Sequence, residues 1–259
     1  MDDDVRTEVD VETGIGTIVL NRPRQRNPLS TNMMRQVTAA LRKLSAEPAV
    51  RVVAIAAAGP VFSAGHDLSE MIDRTLDDER EIFAACVEMM DTVQQIPQPV
   101  IAAVQGPAIA AGCQLAASCD LVIASSAAVF GTPGVRIGLF CSTPMVALSR
   151  SIGRKRALQM LLTGETIDAD TAAAWGLVNL VVAPEDLDAQ VRELAAKITG
   201  ASAMTLQIGK QAFYRQIDLP QDEAYTAMAE TMATNAVTCD AQEGMSAFLD
   251  KREPTWVGR

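Results

Sequence analysis

Apolar positions change their spacing several times along this chain, and each change predicts an element. Apolar residues from Val9 to Leu20 flank Thr13-Gly14-Ile15-Gly16, where glycine supplies the φ freedom of a tight reversal, so the chain opens with a β-hairpin. After the polar stretch Asn21 to Pro28, Ser30 stands as a cap ahead of Met33, Met34, Val37, Leu41 and Leu44. Their spacing is helical, and Pro48 ends the helix. Val52 to Ala58 and Val100 to Val104 are short continuous apolar runs followed by Gly59-Pro60 and Gly106-Pro107, the form of buried parallel strands. Each leads through small residues into a helical pattern, and Leu121 to Ala124 and Val178 to Val182 add strands. The fold class is therefore α/β. From Pro184 onward strands give way to helical spacing over Leu187 to Ile198, Ala203 to Ile217 and Glu223 to Leu249, with breaks expected at Pro220 and Asp240. Met204, Met228, Met232 and Met245 suit helix packing in this tail, with a subunit interface as the alternative.

Composition narrows the chemistry. With 49% hydrophobic and 21% charged residues the chain reads as globular. A formal charge of −10, from 32 acidic against 22 basic residues, disfavours nucleic acid and anionic lipid as partners. No apolar run reaches about 18 residues, and Met1-Asp2-Asp3-Asp4 is acidic where a secretory or mitochondrial address is basic, so a cytoplasmic protein is expected. Five cysteines without metal-type spacing predict reduced, mostly buried thiols, and no metal is expected. The single histidine, His66, leaves little room for a Ser-His-Asp triad. Asp120 reads as a cap or core hydrogen-bond acceptor, and Glu165 and Asp168 as turn and cap residues.

Two small-residue turns carry the candidate site, Phe62-Ser63-Ala64-Gly65-His66-Asp67-Leu68 and Gly106-Pro107-Ala108-Ile109-Ala110-Ala111-Gly112-Cys113. Few side chains obstruct the backbone in either, so a ligand can approach the amides. A helix starting at the second turn would leave its first N–H groups unpaired, which favours an oxygen gaining negative charge. Close helix packing is the competing explanation for the small residues.

These turns and further landmarks resemble the enoyl-CoA hydratase/isomerase (crotonase) family from about Val9 to Trp256. The landmarks are Leu20-Asn21-Arg22-Pro23, Pro99-Val100-Ile101-Ala102-Ala103-Val104-Gln105-Gly106, Cys119-Asp120, Phe130-Gly131-Thr132-Pro133, Leu162-Thr163-Gly164 and Trp175-Gly176-Leu177-Val178. The resemblance implies a spiral of ββα units over residues 1–199 that binds acyl-CoA, and a helical oligomerisation region over 200–259 that builds a homotrimer or a dimer of trimers. It implies that the His66 and Ala111 amides polarise a thioester carbonyl, with coenzyme A entering as part of the substrate and no permanently bound cofactor. Coenzyme A would lie along Arg24, Gln25 and Arg26 and along Ala64, His66, Asp67 and Leu68; Phe248, Lys251, Arg252 and Trp256 fall where relatives complete a pocket.

The departures are as informative. Hydratases of the family carry two glutamates, one to activate water and one to supply a proton at the α-carbon. Here those positions are Gln114 and Gly134, and the position of the isomerase carboxylate is Ser142. Cys141 and Ser142 are left as candidate pocket groups, and the pattern around Gly134 and Gly138 resembles the "enoyl-CoA hydratase domain-containing" branch. The expected function is acyl-CoA chemistry of the lyase or isomerase class, in fatty acid metabolism, with efficient hydration in doubt. The alternative is a non-catalytic acyl-CoA-binding or scaffolding protein.

Overall fold

A computed structural model describes residues 4–259, so Met1, Asp2 and Asp3 of the acidic N-terminus lie outside the described residues. The opening hairpin pairs β1 (Val5–Asp10) with β2 (Ile15–Leu20). Its reversal comes earlier than the glycine pattern implied. Asp10 Oδ1 accepts from the amides of Glu12 and Thr13, Gly14 takes φ +72°, and Ile15 and Gly16 already belong to the strand.

The first helix, α1 (Thr31–Ser45), begins where Ser30 Oγ accepts from the Met33 amide at 3.1 Å, and its apolar stripe is buried. β3 (Val52–Ala57) and β4 (Val100–Val104) follow as parallel neighbours, joined by α2 (Leu76–Gln95). Beyond β4 run β5 (Ala108–Ile109), α3 (Ala111–Ser118), β6 (Leu121–Ser125) and β7 (Val129–Gly131). Next come α4 (Ser142–Ser151), α5 (Arg154–Thr163), β8 (Thr166–Asp168), α6 (Ala169–Trp175) and β9 (Leu180–Val182). The larger sheet has the order β1-β2-β3-β4-β6-β9, parallel from β2 onward, and β5, β7 and β8 form a second sheet of three strands. Asp168 caps α6 through the Thr171 amide, as expected of it.

Both faces of the larger sheet are covered, which explains why β3 and β4 read as unbroken apolar runs. Val53 and Ile55 join the main core with α1 and α2, while Val52 and Ala54 join a smaller cluster under α7 (Leu187–Thr199), with Leu187, Val191 and Ala195.

The tail is helical: α8 (Ala203–Gln216), α9 (Gln221–Ala236) and α10 (Cys239–Asp250). The expected break at Asp240 is corrected. The helices part at Val237 and Thr238, Thr238 caps α10, and Asp240 is a buried acceptor for Ser202 Oγ and the amides of Val257 and Gly258. Packing of the tail methionines within the chain holds in part: Met204 and Met228 are half-buried, whereas Met232 is 71% and Met245 48% exposed. A buried lysine helps to tie the tail to the core. Lys210 on α8 places Nζ 2.8 Å from the carbonyls of Val93 and Gln98 and 2.7 Å from Asp120 Oδ2. Asp120, at the end of α3, also accepts from the Val100 amide and the Tyr214 hydroxyl, which makes it the core acceptor expected. Among the described residues no helix is long and apolar enough to cross a membrane.

Candidate functional site

Ligand crevices in parallel sheets open at the carboxyl ends of the strands, and the two small-residue turns leave β3 and β4 at that end. They are stitched together. Phe62 and Ser63 donate to the Pro107 carbonyl at 3.1 and 3.2 Å, and Ile109 donates to the Ser63 carbonyl at 2.9 Å. The glycines are there because the chains touch: a Cβ on Gly106 would sit 2.0 Å from the Pro60 carbonyl oxygen, and one on Gly112 would sit 2.6 Å from that of Ser63. At Gly65, φ is +97° and a Cβ would lie 3.4 Å from the Ala111 nitrogen, so the stretch before His66 lies directly against the start of α3.

Both amides of interest are left over by this stitching. Leu29 pairs with His66 as a parallel bridge in which the Leu29 amide donates to Gly65 and the Asp67 amide donates to Leu29, so the His66 N–H faces away from that ladder. Ala111 is the first residue of α3, where an amide has no carbonyl four residues back within the helix. Its direction is set by Ala110, whose φ of 50° and ψ of −116° lie in a region that residues with a Cβ avoid, and whose own amide is held by the Gly131 carbonyl at 2.8 Å.

His66 and Ala111 line one cavity of about 640 Å³, with Ala64, Leu68, Phe83 and Ile109 on the same side. The facing wall is a single stretch of chain, the 3₁₀ turn Pro133–Ile137, the loop through Cys141 and the start of α4. The His66 ring sits edge-on to Phe83 at 5.3 Å, and burial pushes its pKa down to about 4, so the imidazole is neutral at physiological pH. This fits a residue used through its backbone. Ser142 Oγ is exposed and donates to the Phe140 carbonyl at 3.4 Å, and burial pushes the Cys141 thiol up, away from a thiolate.

The two glutamate positions differ. Gln114 is 4% exposed and lies outside the cavity lining; its Oε1 accepts from the Cys86 thiol at 3.9 Å. Its placement at a hydratase glutamate position therefore does not bring it to the pocket, because α3 turns it toward α2. Gly134 does line the cavity, and the chain has closed over it: a Cβ would meet the Leu139 carbonyl oxygen at 2.1 Å and Cys141 Sγ at 2.8 Å. Among the described residues no carboxylate lines this cavity.

Of the basic cluster, Arg24, Gln25 and Arg26 are exposed on a short 3₁₀ turn beside the site, where the Arg26 carbonyl accepts from the Ala64 amide at 3.0 Å. Asp67 pairs with Arg22 at 3.4 Å and bonds the Ser69 hydroxyl and amide, and these contacts hold its carboxyl below the usual range. Phe248 is 83% exposed, Arg252 is paired with Glu243, and the Trp256 indole donates to the Gly200 carbonyl. None of these, nor Lys251, lines the cavity.

Asn27 was not anticipated. It is fully buried at φ 50°, its amide nitrogen donates to the carbonyls of Ala58 and Val61, and its Oδ1 accepts from the Arg22 amide, so it pins the basic turn to the first small-residue turn. Asn beside Pro28 in a polar stretch was the available signal. Cys86, Cys113, Cys119 and Cys141 are buried free thiols, in line with the sequence reading.

The sequence profile of the enoyl-CoA hydratase/isomerase family matches residues 10–259. Enoyl-CoA hydratase domain-containing protein 3, mitochondrial, of Mus musculus is 45% identical over 248 residues, covering 95% of this chain and 82% of that protein. Among solved structures, an enoyl-CoA hydratase of Mycobacterium smegmatis superposes with a TM-score of 0.95 at 45% identity over 98% of both chains. The human enoyl Coenzyme A hydratase domain-containing protein 3 superposes at 0.94 and 42% identity, over 98% of this chain and all of that one. These names correct the cytoplasmic expectation. The similar proteins of mouse, Xenopus laevis and human are called mitochondrial, and a folded core does not report the compartment because addresses are carried by segments outside it.

Proposed function

As the chain belongs to the enoyl-CoA hydratase/isomerase family, in the branch of the hydratase domain-containing proteins, we propose that it binds an acyl-CoA thioester with the carbonyl oxygen between the His66 and Ala111 amides. The observation that carries this is the pair of stitched turns, which leave two backbone donors on one cavity wall with no internal partner. Fixed amides stabilise an oxygen that gains charge as the thioester becomes enolate-like, each typically worth about 10²–10³ in rate. Coenzyme A would run from Ala64 to Leu68, past Arg24, Gln25 and Arg26.

Hydration is not efficient in this reading. A general acid or base contributes roughly 10²–10⁴-fold; Gln114 faces Cys86, and Gly134 has neither a side chain nor space for one. The cavity suits chemistry at a polarised thioester in which water moves the protons. The absence of a lining carboxylate equally favours a second reading, an acyl-CoA-binding protein without turnover. The exposed apolar residues of α9 and α10, Tyr225, Met232, Phe248 and Leu249, would be covered in a homotrimer or a dimer of trimers.

Infrared difference spectra of a bound acyl-CoA labelled with ¹³C at the carbonyl test the core of the proposal. Two amide donors shift the carbonyl band to lower frequency than in water. A band at the solution frequency refutes the assignment, and a crotonyl-CoA assay with ordinary hydratase turnover refutes the statement about hydration.

A further inference from the structure

Arg136 stands out on the wall that faces the amides. Among the described residues it is the one permanently charged side chain lining the cavity, and it makes no ion pair or hydrogen bond with any of them. Arg22, which lies outside the cavity lining, is by contrast committed to Asp4 and Asp67. The Arg136 stem has a defined course, since Cγ and Nε both lie 3.1 Å from where a Cβ on Gly164 would project, so the side chain is laid across a glycine at φ +62°. Arg136 is exposed, so its guanidinium meets solvent, and its fork geometry matches a carboxylate.

We infer that the acyl group taken by this cavity carries a carboxylate of its own, as in the monothioester of a dicarboxylic acid, and that Arg136 is the residue that selects it. This rests on the acyl-CoA reading above. Position separates an acyl carboxylate from the phosphates of coenzyme A as the partner. The basic turn with Arg24 and Arg26 is bonded to Ala64 on the amide side, whereas Arg136 belongs to the facing turn that carries Gly134, where the acyl chain must run once the carbonyl is held. No lining carboxylate repels a ligand carboxylate or competes for the arginine.

Calorimetric titration of the whole chain with succinyl-CoA, butyryl-CoA and free coenzyme A tests this. The wild type binds succinyl-CoA about tenfold more tightly than butyryl-CoA, the worth of one charge-assisted pair at a partly open site. Arg136→Gln brings that ratio to about one, and Arg136→Lys retains part of it. Equal affinities in the wild type, or a ratio that survives Arg136→Gln, overturn the inference and leave the acyl-CoA reading standing. Weakened binding of free coenzyme A by Arg136→Gln overturns it too, by assigning the arginine to phosphate. Butyryl-CoA binding no tighter than free coenzyme A overturns the reading beneath it.

Discussion

Restoring the missing acid at Gly134 is the obvious way to turn this protein into a hydratase, and the structure predicts that it fails for a steric reason. The first atom of any side chain there would sit 2.1 Å from the Leu139 carbonyl oxygen and 2.8 Å from Cys141 Sγ, both well inside contact distance. The peptide at Leu139 cannot simply retreat, because its own amide donates to the Gly134 carbonyl at 3.0 Å and Gly138 closes the turn with φ +79°. Overpacking costs about 1–3 kcal/mol, and loosening a hydrogen bond of the turn adds roughly 0.5–1.5 kcal/mol. Gly134→Ala is therefore expected to destabilise by roughly 2–4 kcal/mol, a fall in Tm of about 5–15 °C for a chain of this size. Thermal unfolding and urea titration measure this directly. Gln114→Glu combined with Gly134→Glu gains no crotonyl-CoA hydration, since one carboxylate would face Cys86 and the other would be displaced with its turn. An alanine variant within about 0.5 kcal/mol of wild type, or a double variant with a gain near 10²-fold or more, refutes the argument.

Other expectations follow from the same contacts. The His66 imidazole has its pKa lowered to about 4 by burial, so the unfolded chain takes up that proton first as pH falls through about 6.5. The resulting stability is complete above that pH and is lost between it and about 4, reaching about 3 kcal/mol; a His66→Phe variant with the same Tm-against-pH slope over that window as wild type refutes it. Lys210→Met removes the cation facing Asp120 and costs about 3 kcal/mol in urea unfolding, and a change below about 1 kcal/mol would show that the remaining Val100 and Tyr214 bonds suffice. Ala110→Gly relieves the strained dihedrals and stabilises by about 1 kcal/mol; a loss of stability would mean that the conformation carries no strain. Iodoacetamide at neutral pH labels the exposed Cys239, while Cys86 and Cys113, both pushed up to about 12 by burial, stay unlabelled by mass spectrometry unless the chain is unfolded.

Periodicity was enough for α1, β3 and β4, which bury a continuous stripe or run, and helical spacing alone marked the tail, although α9 buries none of its residues. It was not enough for α4, α5 or the three-stranded second sheet. Their strands are two or three residues long, and their helices bury few side chains, so the pattern they leave is faint. The amide wall was legible because contact between backbones permits only small residues, and the sequence records that restriction at Gly65, Gly106 and Gly112. The facing wall was not. Nothing local distinguishes a glycine that leaves a gap from one whose space is taken by the carbonyl of Leu139, five positions on, and Gln114 was aligned with a catalytic position without any means of telling which way its helix would turn it.

The Pro60 to Ala111 side of the site interlocks segments that arrive from different strands, so a change in one must be met by a matching change in another. The stretch from Pro133 to Pro144 is uninterrupted in the sequence, and the tight contacts at Gly134 are with Leu139 and Cys141 of that same stretch. Under the acyl-CoA reading, substitutions within that one short run would change which acyl group fits without disturbing the interlocked turns that carry the His66 and Ala111 amides.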